Sequence, residues 1–395
     1  MVVTRPRLLL VTGAYFPEFS AGGLQSRAAA ARLAGRVQFR VLTTATDPRL
    51  PRRAIVDGIE VARVLAGVAG RMPKLRSAVG MVWELLRALP RVDAVHIQGF
   101  SSKNILITAM AKLFRRPVVL HLQTAKHDEP AAVRGQGRLA WWAFSSADLY
   151  LSVSPVLTKP CLDAGMAADR FREVPNGVDA SRFSPASLEE RKALRARLNL
   201  PADRPLILFV GVVSPDKQPH VLLDAWLRTQ QDPALASTLV FVGATDPALF
   251  ELGGRLIDQL RSTVVASGFA DRVVFVPPTS QVQDYFRAAD VYAMPSLREG
   301  LPIALLEAMA CGLACVASRL PGATDVMVQD GTNGLLVPPQ EPAALATALA
   351  TVIANPGRAT EIGAAARRTV EDRYTMERVA DMWLDTYDQV LGRRP

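Results

Sequence analysis

The chain has 395 residues, of which 49% are hydrophobic and 21% charged, and this composition excludes a largely disordered chain. No uncharged apolar run reaches about 18 residues, so no membrane-spanning helix is predicted. The net charge of +9 is uneven, because residues 1–180 hold 25 Lys and Arg against 13 Asp and Glu, whereas the remainder hold 21 against 24. The first half is therefore expected to face an anionic partner, with nucleic acid, acidic lipid and an anionic substrate all open.

Residues 1–180 alternate short β-branched runs with amphipathic stretches. The first apolar run is too short for a signal sequence and is typical of a buried strand. Strands are predicted at Leu8–Thr12, Phe39–Thr43, Ala94–Ile97, Val118–Leu122 and Leu149–Val153, with helices near 24–35, 74–89, 101–113 and 137–146. This alternation predicts a parallel sheet with helices on both faces.

A second series of the same kind begins at Pro205. Its predicted strands are Leu206–Val210, Leu239–Val242, Val273–Val276, Asp290–Ala293 and Ala314–Ala317, and its predicted helices lie near 218–230, 247–267, 281–288, 303–311 and 342–354. Turn residues predict a linker at about 176–200. The expected organisation is a first domain at 1–180, a second at 181–375, and a last helix within 376–395 that packs back across the domain junction. Two doubly wound α/β domains predict a ligand cleft between the carboxyl ends of their sheets.

Two glutamates flank a predicted helix start in the second domain. Pro302 suits the first helical position and Gly312 suits the helix stop, so Glu299 lies on the preceding loop and Glu307 inside the helix. Free N–H groups at a helix start bind anions, and carboxylates accept hydrogen bonds from sugar hydroxyls. Spacing alone does not distinguish an anion site from an ordinary capped helix with a solvated Glu299, and it slightly favours the ordinary helix.

The segment 295–312 resembles the E-x7-E motif of retaining glycosyltransferases of the GT4 type, which have the two-domain GT-B fold. Other blocks of this sequence resemble the same family in the same order: Asp93–His96, Val118–His121, Val174–Asp179, Phe209–Gly211 with Lys217, Pro321–Gly322 and Asp330–Pro338. The blocks span nearly the whole chain, which makes a chance match implausible.

The resemblance implies a nucleotide-sugar donor and a role for each matching residue. Glu307 would bind the ribose hydroxyls, Glu299 the transferred sugar, and Lys217 the departing diphosphate. The donor site would also include Gly300, Leu301, Ile303, Ala304, Gly211 and Arg298. The resemblance implies no metal and no other cofactor, because a lysine and a helix terminus supply the positive charge.

Two positions depart from the family pattern. Val212 stands where the family usually has an arginine after the glycine of the first strand, which leaves Lys217 without its usual partner. Arg298 is a candidate to supply the missing charge. Asp325 stands where the family often has a glutamate after a Gly-Gly turn. These departures bear on rate and donor affinity rather than on fold.

In the first domain, Gly22 and Gly23 follow the first strand without forming a G-x-G-x-x-G pattern, which disfavours dinucleotide binding. They are predicted to lie in a loop that lets the backbone approach a donor phosphate or an acceptor. His121 is predicted to end a strand at the cleft edge, and the resemblance places it beside the transferred sugar. A single strand-terminal histidine is more often structural, but we rank His121 above His96 and His127.

The segment 63–91 holds six Lys and Arg, one acidic residue and Trp83. A basic amphipathic helix of this kind can lie on an anionic membrane, although a core-facing helix with a basic solvated side is equally compatible. Three cysteines without zinc spacing are expected to be buried thiols in a reducing compartment. The predicted location is the cytoplasm, with peripheral association at the inner face of the membrane.

The working hypothesis is a retaining hexosyltransferase that moves a sugar to a saccharide or lipid-linked acceptor in cell-surface glycan biosynthesis. The alternatives are a GT-B enzyme resembling nucleotide-sugar 2-epimerases and a non-catalytic subunit that binds sugar nucleotides. Nucleic-acid binding has no supporting motif, because basic charge alone is not specific.

Overall fold

The computed structural model describes residues 5–18, 20–66, 71–243 and 254–392. The chain divides into two compact units. Unit 1 comprises residues 1–177 together with 376–395, and unit 2 comprises residues 178–375. The chain therefore returns to unit 1 for its last helix.

Unit 1 is built on an eight-stranded sheet with the order β3-β4-β2-β1-β5-β6-β7-β8. Its strands are β1 (Arg7–Thr12), β2 (Gln38–Ala45), β3 (Arg53–Val56), β4 (Ile59–Leu65), β5 (Ala94–Gln98), β6 (Val118–Leu122), β7 (Leu149–Ser152) and β8 (Phe171–Glu173). All neighbouring pairs are parallel except the β3–β4 hairpin. Strand order reverses between β1 and β5, and at such a switch point ligands bind beyond the carboxyl ends of the strands.

Seven helices of the described residues belong to unit 1. They are α1 (Ala21–Leu33), α2 (Arg71–Ala88), α3 (Lys103–Leu113), α4 (Pro130–Gly135), α5 (Arg138–Ser145), α6 (Pro155–Asp163) and α14 (Met376–Val390). Helix α14 packs on α1 and buries Trp383 and Tyr387 in the core. None of the helices in the described part of the chain is long and apolar enough to cross a membrane.

Unit 2 has a six-stranded sheet with the order β11-β10-β9-β12-β13-β14. Its strands are β9 (Leu206–Val210), β10 (Thr238–Val242), β11 (Val273–Val276), β12 (Val291–Met294), β13 (Ala314–Ser318) and β14 (Leu335–Val337). All are parallel, and strand order reverses between β9 and β12. Its helices are α7 (Leu188–Arg197), α8 (Pro219–Thr229), α9 (Gly254–Ala266), α10 (Val282–Ala288), α11 (Ile303–Ala310), α12 (Pro342–Ala354) and α13 (Pro356–Arg373). The predicted start of α9, at 247, lies outside the described residues.

The predicted linker at 176–200 contains helix α7, which occupies ten of its 25 residues. Ser187 and Glu190 form a capping box, in which the serine side chain accepts from the Glu190 N–H and the glutamate accepts from the Ser187 N–H. This arrangement satisfies two backbone donors that otherwise lack partners at a helix start. The helix is polar enough to read as a linker, but its N-terminal capping signal was present in the sequence.

Candidate active site

Two loops of unit 2 meet at the switch point between β9 and β12. One loop connects β9 to α8 and carries Lys217, and the other connects β12 to α11 and carries Glu299. The Leu297 N–H donates to the Asp216 carbonyl at 2.8 Å, and the Arg298 guanidinium pairs with the Asp216 carboxylate at 2.7 Å. The two loops are therefore held in register at the edge where a parallel sheet binds ligands.

Lys217 and Glu299 form an ion pair inside this loop junction. Lys217 Nζ lies 2.5 Å from Glu299 Oε1, and the side chains are 34% and 10% exposed. The residues are 82 positions apart in sequence, and the fold brings them together as the predicted donor site requires. The carboxylate holds the ammonium group at the ligand edge of the sheet.

Helix α11 begins directly after the second loop. Pro302 occupies its N-cap position, one residue before the predicted place, and Gly312 ends it with a φ of +70°, a left-handed conformation that glycine adopts at little cost. Gly300 and Leu301 are buried, and Ile303 and Ala304 are half-buried at the first turn. The first N–H groups of α11 have no partner within the helix, which is the electrostatic basis of an anion site.

Glu307 lies one turn into α11. Its carboxylate is half-buried and makes no hydrogen bond or ion pair with the described residues. Burial raises the pKa of Glu307 to about 8, with the Arg182 charge opposing the rise. A half-buried carboxylate with a raised pKa and no protein partner is typical of a ligand-binding group rather than of a structural one.

Val212, which stands where the resembled family usually has an arginine, lies partly exposed in the loop after β9. Val212 follows Gly211 and is 37% exposed, so it does not belong to the core of unit 2. The Gly211 N–H donates to the Val242 carbonyl, which fixes the start of the loop. Arg298 is committed to the ion pair with Asp216, so it is not an uncompensated charge that replaces the missing arginine. Asp325 caps a turn by accepting the Gly322 N–H at 2.7 Å.

In unit 1, Gly22 and Gly23 lie in the first turn of α1, which corrects the predicted loop. The Ser20 hydroxyl caps this helix by accepting the Gly23 N–H. A Cβ atom on Gly23 would lie 2.3 Å from the Ala14 carbonyl oxygen, so Gly23 is required for packing. Gly22 instead faces Gln98, whose Cβ and Oε1 lie 3.8 and 3.9 Å from where a Gly22 Cβ would be.

His121, predicted to end a strand at the cleft edge, is the next-to-last residue of β6 and is buried. The side chain is 2% exposed, stacks on His96 with ring centroids 5.4 Å apart, and contacts Trp383 of α14 edge-on. Neither ring nitrogen has a hydrogen-bond partner, and burial lowers the pKa of His121 to about 3. The imidazole is therefore neutral and enclosed in the core of unit 1.

Sequence reasoning missed a pair of amides at the carboxyl ends of β5 and β6. Gln123 Nε2 donates to Gln98 Oε1 at 2.8 Å, and Gln98 Nε2 lies 3.2 Å from His96 Nε2. His96 Nδ1 in turn contacts the Tyr387 hydroxyl at 2.7 Å. The direction of the Gln123 bond orients the Gln98 amide, so the neutral His96 accepts at Nε2 and carries its proton on Nδ1. A polar chain thus runs from α14 to the switch point beside Gly22.

Asp128 fixes the loops that carry these amides. Its carboxylate is 1% exposed and accepts from the N–H groups of Phe100, Gln123 and Thr124 at 2.8 to 3.0 Å. His127 Nδ1 lies 3.0 Å from the same carboxylate. The buried carboxylate joins the loop after β5 to the loop after β6, so its position determines that of Gln123.

The three cysteines are free and buried, as predicted, and burial raises the pKa of each thiol. Among the described residues no group of three or more His, Cys, Asp or Glu side chains is arranged to hold a metal ion.

Comparison with known proteins adds to this geometry. Residues 190–369 match a family model described as glycosyl transferases group 1, and residues 25–182 match one described as glycosyltransferase family 4. The D-inositol 3-phosphate glycosyltransferase of Acidothermus cellulolyticus is 30% identical over 407 residues, which cover 95% of this chain and 87% of the relative. The chain belongs to glycosyltransferase family 4.

Other relatives of this family 4 glycosyltransferase are also named D-inositol 3-phosphate glycosyltransferase. The protein of Nocardiopsis dassonvillei is 32% identical over 388 residues, covering 91% of this chain and 87% of the relative. The protein of Xylanimonas cellulosilytica is 37% identical over 238 residues, covering 58% of this chain and 54% of the relative, so that match spans about half of the relative's length.

Solved structures show the GT-B fold of the glycosyltransferase. Sucrose-phosphate synthase from Thermosynechococcus elongatus superposes with a TM-score of 0.80 and 24% identity, covering 99% of this chain and 100% of that one. HepE of Anabaena, solved with UDP and glucose, gives a TM-score of 0.79 and 20% identity, covering 98% and 100%. The predicted fold class, two doubly wound α/β domains of the GT-B type, is confirmed.

Proposed function

We propose that this glycosyltransferase moves a sugar from a nucleotide-sugar donor to a hydroxyl group of a saccharide or lipid-linked acceptor, with retention of the anomeric configuration. The observation that carries the proposal is the Lys217–Glu299 ion pair in the loops before α11, together with the carboxylate of Glu307 one turn into that helix, unpartnered among the described residues. The three side chains and the helix terminus offer the chemistry that a sugar diphosphate needs, which is positive charge for the phosphates and carboxylates for the hydroxyls.

Each group has a separate task in the proposed reaction. Glu307 accepts hydrogen bonds from the ribose hydroxyls, and Glu299 accepts from the transferred sugar. The diphosphate pairs with Lys217 and accepts hydrogen bonds from the first N–H groups of α11. These contacts stabilise the negative charge of the leaving group as the bond between the anomeric carbon and the diphosphate breaks. The acceptor oxygen bonds to the anomeric carbon on the face that the diphosphate leaves. The acceptor proton passes to the departing phosphate oxygen, which balances the reaction without a protein nucleophile.

The acceptor is proposed to bind unit 1 at the switch point between β1 and β5. Gln98 and Gln123 present amides, which both donate to and accept from hydroxyl groups. Lys103 Nζ donates to the Thr44 hydroxyl at 2.9 Å, at the carboxyl end of β2. A cation at the carboxyl end of β2 and an amide pair at the ends of β5 and β6 suit a hydroxylated acceptor that carries a phosphate, as a lipid-linked glycan does. The related D-inositol 3-phosphate glycosyltransferases are named for a phosphorylated polyol, which fits the same chemistry.

The reaction is proposed to take place in the cytoplasm at the inner face of the membrane. Three buried free thiols suit a reducing compartment. The excess of basic residues in the first 180 positions suits an anionic membrane surface near a lipid-linked acceptor.

The direct test is a thermal-shift panel of UDP, GDP, ADP and dTDP on the full chain. A ligand that binds only the folded protein raises the melting temperature by mass action. We expect one nucleotide, UDP being the first candidate because HepE was solved with it, to raise the melting temperature of the wild type but not of Glu307→Gln. Glu361→Gln, on the exposed side of α13, is the matched control.

No shift with any nucleotide, or an equal shift in Glu307→Gln, would sink the donor-site assignment. Incubation with the donor alone then separates the alternatives. A changed sugar in the nucleotide sugar identifies an epimerase, and binding without any turnover identifies a non-catalytic subunit.

A further inference from the structure

The outward face of helix α2 is apolar along its whole length. Met72, Leu75, Val79, Trp83 and Leu86 are 44% to 61% exposed. At about 100° per residue these five side chains fall within about 80° of arc. Met81 and Leu85 on the opposite side are buried in unit 1, so the helix is apolar on two faces and only one of them is covered by the described residues. We call the five exposed side chains the α2 stripe.

A basic cavity of about 240 Å³ lies beside the C-terminal end of α2, where Arg87 of its lining contacts Trp83 of the α2 stripe. It is bounded by the middle of strands β2 and β4 and by the C-terminal turn of α2, not by the end of β5 that carries Gln98 or the first turn of α1 that carries Gly22. Its charged lining consists of Arg40, Arg53, Arg87, Arg91, Glu60 and Glu84. We call this cavity the arginine pocket.

The arginine pocket carries more positive than negative charge. Glu60 pairs with Arg40 at 3.4 Å, and Glu84 pairs with Arg53 at 2.5 Å. Arg87 and Arg91 have no carboxylate partner among the described residues; the Arg91 guanidinium donates only to the Arg87 carbonyl. Two guanidinium groups therefore remain for an anion, and guanidinium geometry matches phosphate oxygens in pairs.

Arg87 joins the pocket to the stripe. Its guanidinium stacks over the Trp83 ring at 5.3 Å from the ring centroid, and the same side chain lines the pocket. An aromatic ring at the edge of an apolar face, with a cation beside it, is the arrangement that proteins place at the boundary between acyl chains and headgroups. The apolar α2 stripe and the arginine pocket therefore adjoin each other on this surface.

We propose that the arginine pocket binds the headgroup phosphate of an anionic phospholipid while the α2 stripe enters the outer acyl region of the same bilayer. The inference deepens the membrane contact in the proposed function by assigning it to a phosphate site. A second copy of the chain fits this surface less well, because a two-fold contact pairs the surface with itself and supplies no negative charge for Arg87 and Arg91. The bilayer supplies both the apolar layer and the negative charge that the surface lacks.

The test is flotation of the full chain with vesicles of phosphatidylcholine alone or of phosphatidylcholine mixed with phosphatidylglycerol, at low and high salt. We expect binding to the mixed vesicles only, weakened by salt. Arg87→Gln with Arg91→Gln should weaken binding about tenfold or more. Arg115→Gln with Arg138→Gln, two exposed arginines elsewhere in unit 1, removes the same charge and should change binding little.

Insertion of the α2 stripe into the bilayer is measured separately, by quenching of tryptophan fluorescence. Vesicles containing brominated phosphatidylcholine should quench tryptophan fluorescence in the wild type, and Trp83→Phe should lose the quenching while it keeps binding. Equal binding by the pocket variant and the control variant would overturn the phosphate site. Dimers that disappear in Val79→Ser with Trp83→Ser, without vesicle binding by the wild type, would assign the surface to a second copy instead.

The vesicle experiments test the lipid site independently of the proposed nucleotide-sugar site. A pocket variant that keeps its nucleotide-induced rise in melting temperature is folded, so its loss of vesicle binding concerns the pocket alone. A wild type that binds vesicles but no nucleotide contradicts the proposed function and leaves the lipid site standing.

Discussion

The carboxylate of Glu307 combines a raised pKa with the absence of a partner among the described residues. Hydroxyl groups of a ribose donate best to the ionised carboxylate. Below pH 8 most of the ligand-free protein carries a proton at this site, because its pKa is about 8. Ligand binding must then release that proton.

Nucleotide affinity is therefore expected to rise with pH below pH 8, by up to about tenfold per unit, and to level off above it. Glu307→Gln should bind more weakly and lose this pH dependence, because the amide does not titrate. Isothermal titration calorimetry in buffers of different protonation enthalpy measures both the affinity and the released proton. A wild type with no pH dependence would show that the protonation of Glu307 does not change on binding.

Lys217 is the residue predicted to bind the departing diphosphate, and its Nζ lies 2.5 Å from Glu299 Oε1. We expect Lys217→Ala to be close to inactive with an intact fold, whereas Lys192→Ala on the exposed side of α7 should be normal. Because Val212 is 37% exposed, Val212→Arg does not bury a charge and should partly rescue Lys217→Ala. Donor affinities of the four proteins in a double-mutant cycle give the coupling. Near-normal turnover of Lys217→Ala would place the diphosphate elsewhere.

Gln123 and His121 are two residues apart on the same strand end but lie in different surroundings. Gln123 is half-buried with its amide bonded to Gln98, whereas His121 is enclosed beneath Trp383. Gln123→Ala is expected to raise the KM for the acceptor and leave nucleotide affinity unchanged. Unchanged turnover in a folded His121→Leu variant would assign this enclosed imidazole a structural role. The catalytic role predicted for His121 from its resemblance stays a prediction, and loss of turnover in folded His121→Leu would support it.

At the scale of elements, α14 covers two neutral histidines of the sheet. Burial lowers the pKa of His96 well below its ordinary value, with the neighbouring His121 adding to the effect, and lowers that of His121 to about 3. The folded protein resists protonation that the unfolded chain accepts below about pH 6.5. Stability is complete above that pH and falls as pH decreases, by up to about 1.4 kcal/mol per pH unit for each histidine.

His121→Leu should remove about half of this slope and leave stability at neutral pH equal or higher, because it deletes two buried nitrogens that have no hydrogen-bond partner. Urea unfolding between neutral pH and pH 5 measures the slope before most carboxylates titrate. An unchanged slope in the variant would mean that His121 is protonated in the native protein.

The sequence predicted elements where periodicity was strong and missed those where it was weak. Strands such as β9, with five consecutive apolar residues, were predicted at their observed ends. The β3–β4 hairpin was missed because Arg53, Glu60 and Arg63 interrupt its apolar pattern. Helix α13 was missed because its polar residues outnumber its apolar ones and Gly363 interrupts it. That glycine is required, since a Cβ there would lie 2.0 Å from the Gly312 carbonyl oxygen.

At the scale of the whole chain, both units place their candidate residues at a switch point of a parallel sheet. The sequence identified Lys217, Glu299 and Glu307 by resemblance, but only the fold shows that the first two form an ion pair across 82 positions. The Gln98–Gln123 pair carried no local signal, because two glutamines 25 positions apart become neighbours only when β5 and β6 pair. Gln123 lies just beyond the end of β6 and His121 lies within the strand against Trp383, a difference that periodicity alone did not show.

The uneven distribution of charge is also a property of the whole chain. The excess of basic residues in the first 180 positions includes Arg87 and Arg91 of the arginine pocket, and a membrane contact would keep a lipid-linked acceptor near unit 1. The predicted consequence is higher turnover with an acceptor presented in anionic vesicles than with the same acceptor in neutral detergent. Equal turnover in both would separate lipid binding from acceptor delivery.

The central claim, retaining transfer from a nucleotide sugar, is tested most directly by following the anomeric proton of the product by NMR. The full chain is incubated with an α-linked nucleotide sugar, chosen by the thermal-shift panel, and a hydroxyl acceptor. The account predicts an α-linked product that appears together with the nucleoside diphosphate, and predicts that Lys217→Ala forms neither. A β-linked product, or a nucleotide sugar whose sugar changes without transfer, would contradict it.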